Sequence, residues 1–130
     1  MSGLTGSAAA ADKPMRDLLR LLPKLSIDSQ GEPDFLNSPP SLLVDLASSA
    51  DTGAKALSLG VAAIGNLIAY SAPEIEDGTI SSDTVEALGW LLSELGEVAA
   101  ACFVLAAKCR RARAGTAEAR QHRPCGVGPT

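Results

Sequence analysis

Apolar residues recur in two long stretches at alternating intervals of three and four. In the first stretch, three alanines lead into Leu57, Val61, Ile64 and Ile68. This spacing places the apolar side chains along one side of a helix, as in a heptad pattern. It predicts a helix, continuous or broken, over residues 40–71. Ser38 or Ser41 suits the position before the first turn, and Gly53 favours a bend or break.

The second stretch follows the same intervals over eight positions. Its members are Val85, Leu88, Leu92, Leu95, Ala99, Cys102, Ala106 and Cys109. A polar group at residues 81–83 offers a helix cap before it, and Gly115 is typical of the residue just after a helix. The pattern therefore predicts a helix over residues 82–114.

A shorter helical pattern precedes both. Met15, Leu18, Leu19 and Leu22 share one face, and Pro23 ends the run. We predict a helix over 13–22 and a loop over 24–39. Residues 1–12 are small and polar without a period, so we expect disorder there. Residues 115–130 are predicted to form a flexible basic tail.

Two matching patterns about ten residues apart predict an all-α fold built on an antiparallel helical hairpin, with a short N-terminal helix beside it. No charged residue occurs between Lys55 and Glu74, and a helix uncharged all round is buried all round. One hairpin cannot provide that cover, so we expect a homodimer to complete a bundle. The candidate packing residues are Leu57, Val61, Ile64, Ile68, Leu88, Leu92, Leu95 and Cys102.

Composition narrows the classes of protein further. Aromatic residues make up 3% of the chain, so the core must be aliphatic. This favours closely packed helices over a β-sandwich or an aromatic platform for nucleic-acid bases. The three cysteines form no CxxC pair and predict neither a disulfide framework nor a zinc site. Residues 1–11 lack the basic and apolar regions of a signal peptide. We therefore expect a cytoplasmic protein.

Charge is divided between the two ends of the chain. Residues 1–107 hold 5 Lys and Arg against 14 Asp and Glu, whereas residues 108–130 hold 6 against 1. Cations at the end of a helix suit its dipole and aid solubility. Contact with nucleic acid or anionic lipid is the alternative, and nucleic-acid binding would be salt-sensitive and sequence-blind. The candidate polyanion contacts are Lys108, Arg110, Arg111 and Arg113.

The residues that carry chemistry do not form a recognisable catalytic set. His122 is the only histidine, and with Cys125 it gives two of the about four ligands that structural zinc requires. Glu94 and Glu97 are expected on the polar face of their helix, away from the apolar pattern. No nucleophile has a visible base. We predict a protein that is not an enzyme and that needs no cofactor or metal.

Trp90 has two interpretations of equal weight. It lies on the outer side of the heptad, where it either packs against the 15–22 helix and the 24–39 loop or serves as an anchor at a protein–protein interface. The candidate partner interface is Trp90, Leu91, Glu94 and Glu97.

A membrane interpretation is also available, because two apolar segments followed by a basic tail have the layout of a phage holin. The segments are Ala56–Ala72 and Val98–Ala107. The second is shorter than the roughly 20 residues that a span requires, and its extension would place Glu94 and Glu97 in lipid. Membrane insertion is therefore the lesser alternative.

The segment Asp83–Ala107, with its Ala-Leu-Gly-Trp-Leu-Leu run and alanine-rich amphipathic pattern, resembles the C-terminal helices of short uncharacterised proteins from bacterial prophages and mobile elements. The resemblance covers about a quarter of the chain and implies a small accessory protein. Such a protein would bind and modulate or inhibit a bacterial protein, without catalytic residues to carry over.

Overall fold

The computed structural model describes residues 13–122. Its helices are α1 (Pro14–Leu21), a 3-10 turn (Leu22–Lys24), α2 (Pro40–Tyr70), α3 (Ala72–Glu76) and α4 (Ser82–Gln121). Within these residues no strand forms beyond one isolated bridge, so the all-α prediction is confirmed. The predicted disordered segment 1–12 and the last eight residues of the predicted tail lie outside the described residues.

Helices α2 and α4 pack along each other and dominate the fold. Asp51, in the first half of α2, forms an ion pair with Arg110 of α4. The apolar seams of the two helices meet in one buried cluster, through Ala47, Ala50 and Ala54 of α2 and Cys102, Ala106 and Cys109 of α4.

Helix α2 runs without interruption through Gly53, so the broken alternative is not the one adopted. The reason lies in packing against α1. A β-carbon at Gly53 would lie 3.0 Å from Sδ of Met15. Glycine here gives α1 a close approach to α2, and this contact stabilises a helix that glycine alone would weaken.

Helix α4 continues to Gln121, so the predicted end at Ala114 is wrong. Gly115 is an ordinary helical residue, half-buried, and a β-carbon there would lie 3.7 Å from Leu36. The four residues after Thr116 are Ala, Glu, Ala and Arg, all good helix formers. They extend the helix past a glycine that costs only about 1 kcal/mol, and residues 115–121 are helical instead of a loose tail.

The core lies at one end of the helix pair, where α1 and the segment 25–38 close over α2 and α4. We call this end the base (residues 13–55 and 99–122) and the other end the arm (residues 56–98). No residue of the arm is buried. The buried apolar residues are Leu18, Leu25, Leu42, Leu43, Leu46, Ala47, Ala50, Ala54, Ala99, Cys102, Ala106, Cys109 and Ala112.

One buried hydroxyl, that of Ser38, links the two ends of the segment 25–38. Ser38 Oγ accepts a hydrogen bond from the Ser26 N–H at 3.0 Å and donates one to the Asp34 carbonyl at 2.8 Å. Phe35 from the same segment packs on the core. The predicted capping role of Ser38 is wrong, because α2 begins after Pro39 without a side-chain cap.

The tip of the arm (residues 74–81) contains the turn that joins α3 to α4. Gly78 adopts a positive φ of 83° after Asp77. Hydrogen bonds from Thr79 to the Asp77 carboxylate lower its pKa from the ordinary value. Ser81 Oγ then accepts from the Thr84 N–H at 3.2 Å and caps α4. The tip is thereby a defined turn that carries acidic side chains.

Candidate functional site

The candidate packing residues lie along the seam of α2 and α4, but only one of them is buried. Cys102 is buried in the base, and the other seven, all in the arm, are half-buried. They are half-buried because the long part of the arm consists of two helices alone, and two helices cannot enclose a seam.

Helix α2 carries a second apolar row beside the seam. Its members follow the same alternating intervals: Gly53, Ala56, Gly60, Ala63, Leu67 and Tyr70. At its lower end α1 covers Gly53. From Ala56 onward the row is exposed, and Leu67 and Tyr70 are 66% and 84% exposed. We call the part from Ala56 to Tyr70 the open row.

A shallow cavity of about 310 Å³ lies where α1 meets the lower end of the open row. Met15, Gly53 and Leu57 give it an apolar floor, and Lys13 and Arg16 add two cationic side chains. Pro14 and Ala56 complete its lining. The cavity is continuous with the open row, because Ala56 belongs to both.

The outer face of α4 carries the candidate partner interface. Trp90 is 68% exposed, and its indole N–H donates to Glu86 at 3.5 Å. Glu94 and Glu97 follow four and seven residues later and are exposed on the same side. We call Glu86, Trp90, Glu94 and Glu97 the acidic stripe. Neither α1 nor the segment 24–39 covers Trp90, because both lie at the base.

Leu91 is also exposed, but it lies on the flank of α4 beside the seam and not within the acidic stripe. The sequence therefore grouped two adjacent surfaces into one candidate interface. The flank position explains why Leu91 is 46% exposed while Leu92, one residue on, is half-buried in the seam.

Acidic side chains predominate in the arm, and basic side chains predominate in the base. Residues 56–107 contain no lysine or arginine and seven aspartates and glutamates, all of them in the arm. Lys108, Arg110, Arg111 and Arg113 are exposed at the base, where Arg110 pairs with Asp51. In the described residues, the base carries ten cations and seven carboxylates, a net charge of +3, against −7 in the arm.

The described residues contain no group of three or more metal-ligating side chains. Cys102 and Cys109 are buried, and burial raises the pKa of each thiol, which disfavours the reactive thiolate at neutral pH. His122 is exposed at the end of α4. Cys125, its predicted companion, lies outside the described residues.

A second open cavity, of about 460 Å³, lies between the segment 25–38 and α4. Its apolar lining residues include Phe35, Val104 and Leu105, and its charged lining residues are Glu32 and Lys108. It is a surface groove, and the titratable groups around it show no catalytic arrangement.

The sequence analysis did not predict two features of the base. The Asp51–Arg110 ion pair joins residues 59 positions apart, and pairing the two seams in opposite directions would have brought these charges together. The role of Ser38 left no such signal, since its partners are backbone groups of a loop.

By length and composition, two of the described helices, α2 and α4, are able to cross a membrane. In the most apolar window of each helix, 11% and 17% of the residues are buried. The apolar surface is therefore largely open in the isolated chain.

Comparison of the chain with known protein families, with curated proteins and with solved structures finds no match.

Proposed function

We propose that this chain is a non-enzymatic, cytoplasmic binding protein, and that its acidic stripe docks a cationic segment of a protein partner. The observation that carries the proposal is the exposure of Trp90 between carboxylates. Tryptophan is enriched among the residues that anchor protein–protein interfaces, and here three carboxylates lie on the same face as the exposed ring. Both ion pairs among the described residues lie in the base, so no ion pair occupies the stripe.

The chemistry of the stripe favours lysine and arginine. The face of an indole ring attracts a cation, and Glu86, Glu94 and Glu97 extend the negative potential over about three helical turns. A helix with basic residues at intervals of three and four would present its charges at matching positions. The same potential repels nucleic acid and acidic proteins.

The resemblance of residues 83–107 to prophage accessory proteins agrees with this role, because the stripe lies within that segment. On this interpretation, the chain modulates a bacterial protein by covering a basic surface of it. The chain's own chemistry would be limited to binding.

The test uses a synthetic amphipathic peptide rich in lysine and arginine, titrated into the full chain at low salt. Trp90 is the only tryptophan, so its fluorescence reports contact with the stripe directly. We expect saturable binding that weakens as salt is added. The double variant Glu94→Lys/Glu97→Lys is expected to abolish it.

Trp90→Ala, followed by calorimetry, is expected to weaken binding by about tenfold or more, as loss of an interface anchor does. Phe103→Ala is the matched control, since Phe103 is an exposed aromatic on α4 outside the stripe. Equal affinity in the Trp90 and Phe103 variants, or binding of an acidic peptide as tight as that of the basic one, would overturn the proposal.

A second candidate function is membrane activity of the holin type, favoured by the two long apolar helices with little buried surface. The charge distribution agrees with it, because cations flank the ends of the apolar segments near the termini and none occurs at the tip.

The carboxylates of α4 weigh against that candidate. In the antiparallel hairpin that we propose for α2 and α4, Glu97 lies 13 residues before Arg110 and Ile64 lies 13 residues after Asp51. Equal helical rise from the ion pair then brings Glu97 level with Ile64. That level is the middle of the uncharged stretch of α2. Each carboxylate there would cost about 3 kcal/mol on insertion scales.

Flotation with vesicles of neutral and anionic lipid separates the two functions. A membrane protein would float with the vesicles and would require detergent for purification. We expect the chain to remain in the unbound fraction with either lipid.

A further inference from the structure

We propose that the open row of α2 is the interface for a second copy of this chain, with the two α2 helices antiparallel and centred on Ala63. The proposal concerns a different helix from the acidic stripe and does not depend on it. It follows from the shape of the row, from the cavity at its lower end and from the charges at the two ends of the molecule.

The row is complementary to itself in size. Ala56 and Gly60 at one end are small, and Leu67 and Tyr70 at the other are large and exposed. An antiparallel arrangement about Ala63 sets Tyr70 directly against Ala56 of the second copy and brings Leu67 beside its Gly60, within one residue of direct opposition. A two-fold axis makes each contact occur twice. A parallel arrangement would instead set tyrosine on tyrosine and glycine on glycine.

The space beside the small residues is open. A β-carbon at Gly60 would meet nothing within 4 Å, so the side chain of Leu67 from the second copy has room there. Beside Ala56, the cavity of about 310 Å³ has an apolar floor formed by Met15, Gly53 and Leu57. Tyr70, the most exposed large apolar side chain of the described residues, is suited to this cavity, with its hydroxyl near the cations of Lys13 and Arg16.

Charge supports the antiparallel direction. With Tyr70 of one copy at the base of the other, the acidic tip that follows Tyr70 comes beside the basic face of α1. Glu74 and Glu76 at the tip then lie near Lys13 and Arg16 of the second copy. The arm carries −7 and the base +3, so opposite charges meet at both ends, whereas a parallel pair would bring the two acidic arms together.

The dimer would also bury the apolar open row of α2, which is exposed in the single chain. The open row spans 15 residues, or about 21 Å from Ala56 to Tyr70, and contains no charge. Two α2 helices packed along it form the centre of a four-helix arrangement, with each α4 and its acidic stripe on the outside in water. The stripe remains free for another partner.

The first measurement is solution mass by light scattering on the full chain without detergent, at two concentrations. We expect about twice 13.2 kDa. Gly60→Leu fills the space that Leu67 of the second copy needs and is expected to weaken the dimer by roughly tenfold or more. Gly65→Leu is the matched control, because Gly65 is also an exposed glycine of α2 but lies off the row.

Disulfide cross-linking tests the relative direction of the two α2 helices in the dimer. The experiment uses a Cys125→Ser background, because the other two cysteines, Cys102 and Cys109, are buried. Ala63→Cys is expected to cross-link with itself, because it lies on the two-fold axis. Tyr70→Cys is expected to cross-link with Ala56→Cys in a mixture of the two variants and not with itself. Ala62→Cys, exposed one residue before the axis, is the control.

Charge reversal gives a third measurement. Lys13→Glu and Glu74→Lys are each expected to weaken the dimer about two- to fivefold, and the double variant is expected to recover the loss. Trp90→Ala is expected to leave the mass unchanged, which keeps this interface separate from the peptide-binding function.

A monomer at the higher concentration would overturn the proposal, as would aggregation that only detergent relieves. Self-cross-linking of Tyr70→Cys as fast as that of Ala63→Cys would show a parallel pair and overturn the direction. Equal masses for Gly60→Leu and Gly65→Leu in a dimeric protein would place the interface elsewhere.

Discussion

Gly53 of α2 and Met15 of α1 lie so close that a β-carbon on the glycine would come within 3.0 Å of the methionine sulfur. The contact joins the N-terminal helix to α2 within the base. Met15 is flexible and has a polarizable sulfur, which lets it fill the space above a glycine. The approach explains why α1 remains on the base although it has only eight residues.

Alanine at Gly53 is expected to stabilise less than alanine at Gly65. Both changes raise helix propensity by about 1 kcal/mol, but only the β-carbon at Gly53 meets a neighbour. We expect Gly65→Ala to raise the free energy of unfolding by most of that amount and Gly53→Ala to gain less or to lose. Urea unfolding at one fixed protein concentration measures both. Equal gains in the free energy of unfolding would show that the Met15 side chain moves away from the new β-carbon without cost.

Leu46 and Leu59 test the boundary between base and arm. Leu46 is fully buried, whereas Leu59 is 63% exposed on the same helix. Leu46→Ala is expected to lower the free energy of unfolding by about 2–5 kcal/mol, through lost burial and a residual cavity. Leu59→Ala is expected to change it by less than about 0.5 kcal/mol. A loss at Leu59 similar to that at Leu46 would mean that the outer side of α2 is covered in solution.

Ser38→Ala is expected to loosen the segment 25–38. The change removes both hydrogen bonds of the buried hydroxyl and leaves the Ser26 N–H and the Asp34 carbonyl without those partners, at a cost of about 1–3 kcal/mol. Faster hydrogen exchange of the Ser26 amide is the specific signal. Ser41→Ala, at an exposed position in the first turn of α2, should leave that amide unchanged.

Burial of Cys102 and Cys109 makes stability fall at alkaline pH. Burial raises the pKa of both thiols above the ordinary value of 9.0. Above about that pH the unfolded chain loses thiol protons that the folded chain keeps, so unfolding is favoured as pH rises through the folded pKa. Urea midpoints at pH 7 and at pH 10 should therefore differ.

The double variant Cys102→Ala/Cys109→Ala provides the comparison for that measurement. Its urea midpoint should fall less between the two pH values. In native buffer, alkylation of both thiols should be slow until the chain unfolds. Rapid alkylation at neutral pH, or an identical pH dependence in the double variant, would contradict the assigned burial.

The sequence predicted the long helices because their apolar spacing depends only on local geometry. Of the residues that it selected, Cys102 is buried, the seven seam residues of the arm are half-buried, and Glu94 and Glu97 are exposed. The sequence did not decide between a continuous and a broken α2, since the effect of Gly53 depends on Met15, 38 residues away. Residue propensity also failed at Gly115, where the good helix formers that follow outweigh one glycine.

For a related reason, the sequence could not decide between the two interpretations of Trp90. Both rested on the fact that tryptophan is large and seldom left in water, and choosing between them required the distance from α1. The structure places α1 at the base and Trp90 in the arm, so the contact that would have covered the ring is out of reach. The distance between α1 and Trp90, and not the type of residue, therefore decides between the two interpretations.

The absence of cations from residues 56–107 also governs how the molecule responds to lysine- and arginine-directed reagents. Trypsin cleaves after these residues, and Lys55 and Lys108 bracket the whole arm. Complete digestion therefore releases residues 56–108 as one peptide that contains the only tryptophan. All four lysines lie in the base, so reagents that modify lysine side chains leave the arm unmodified.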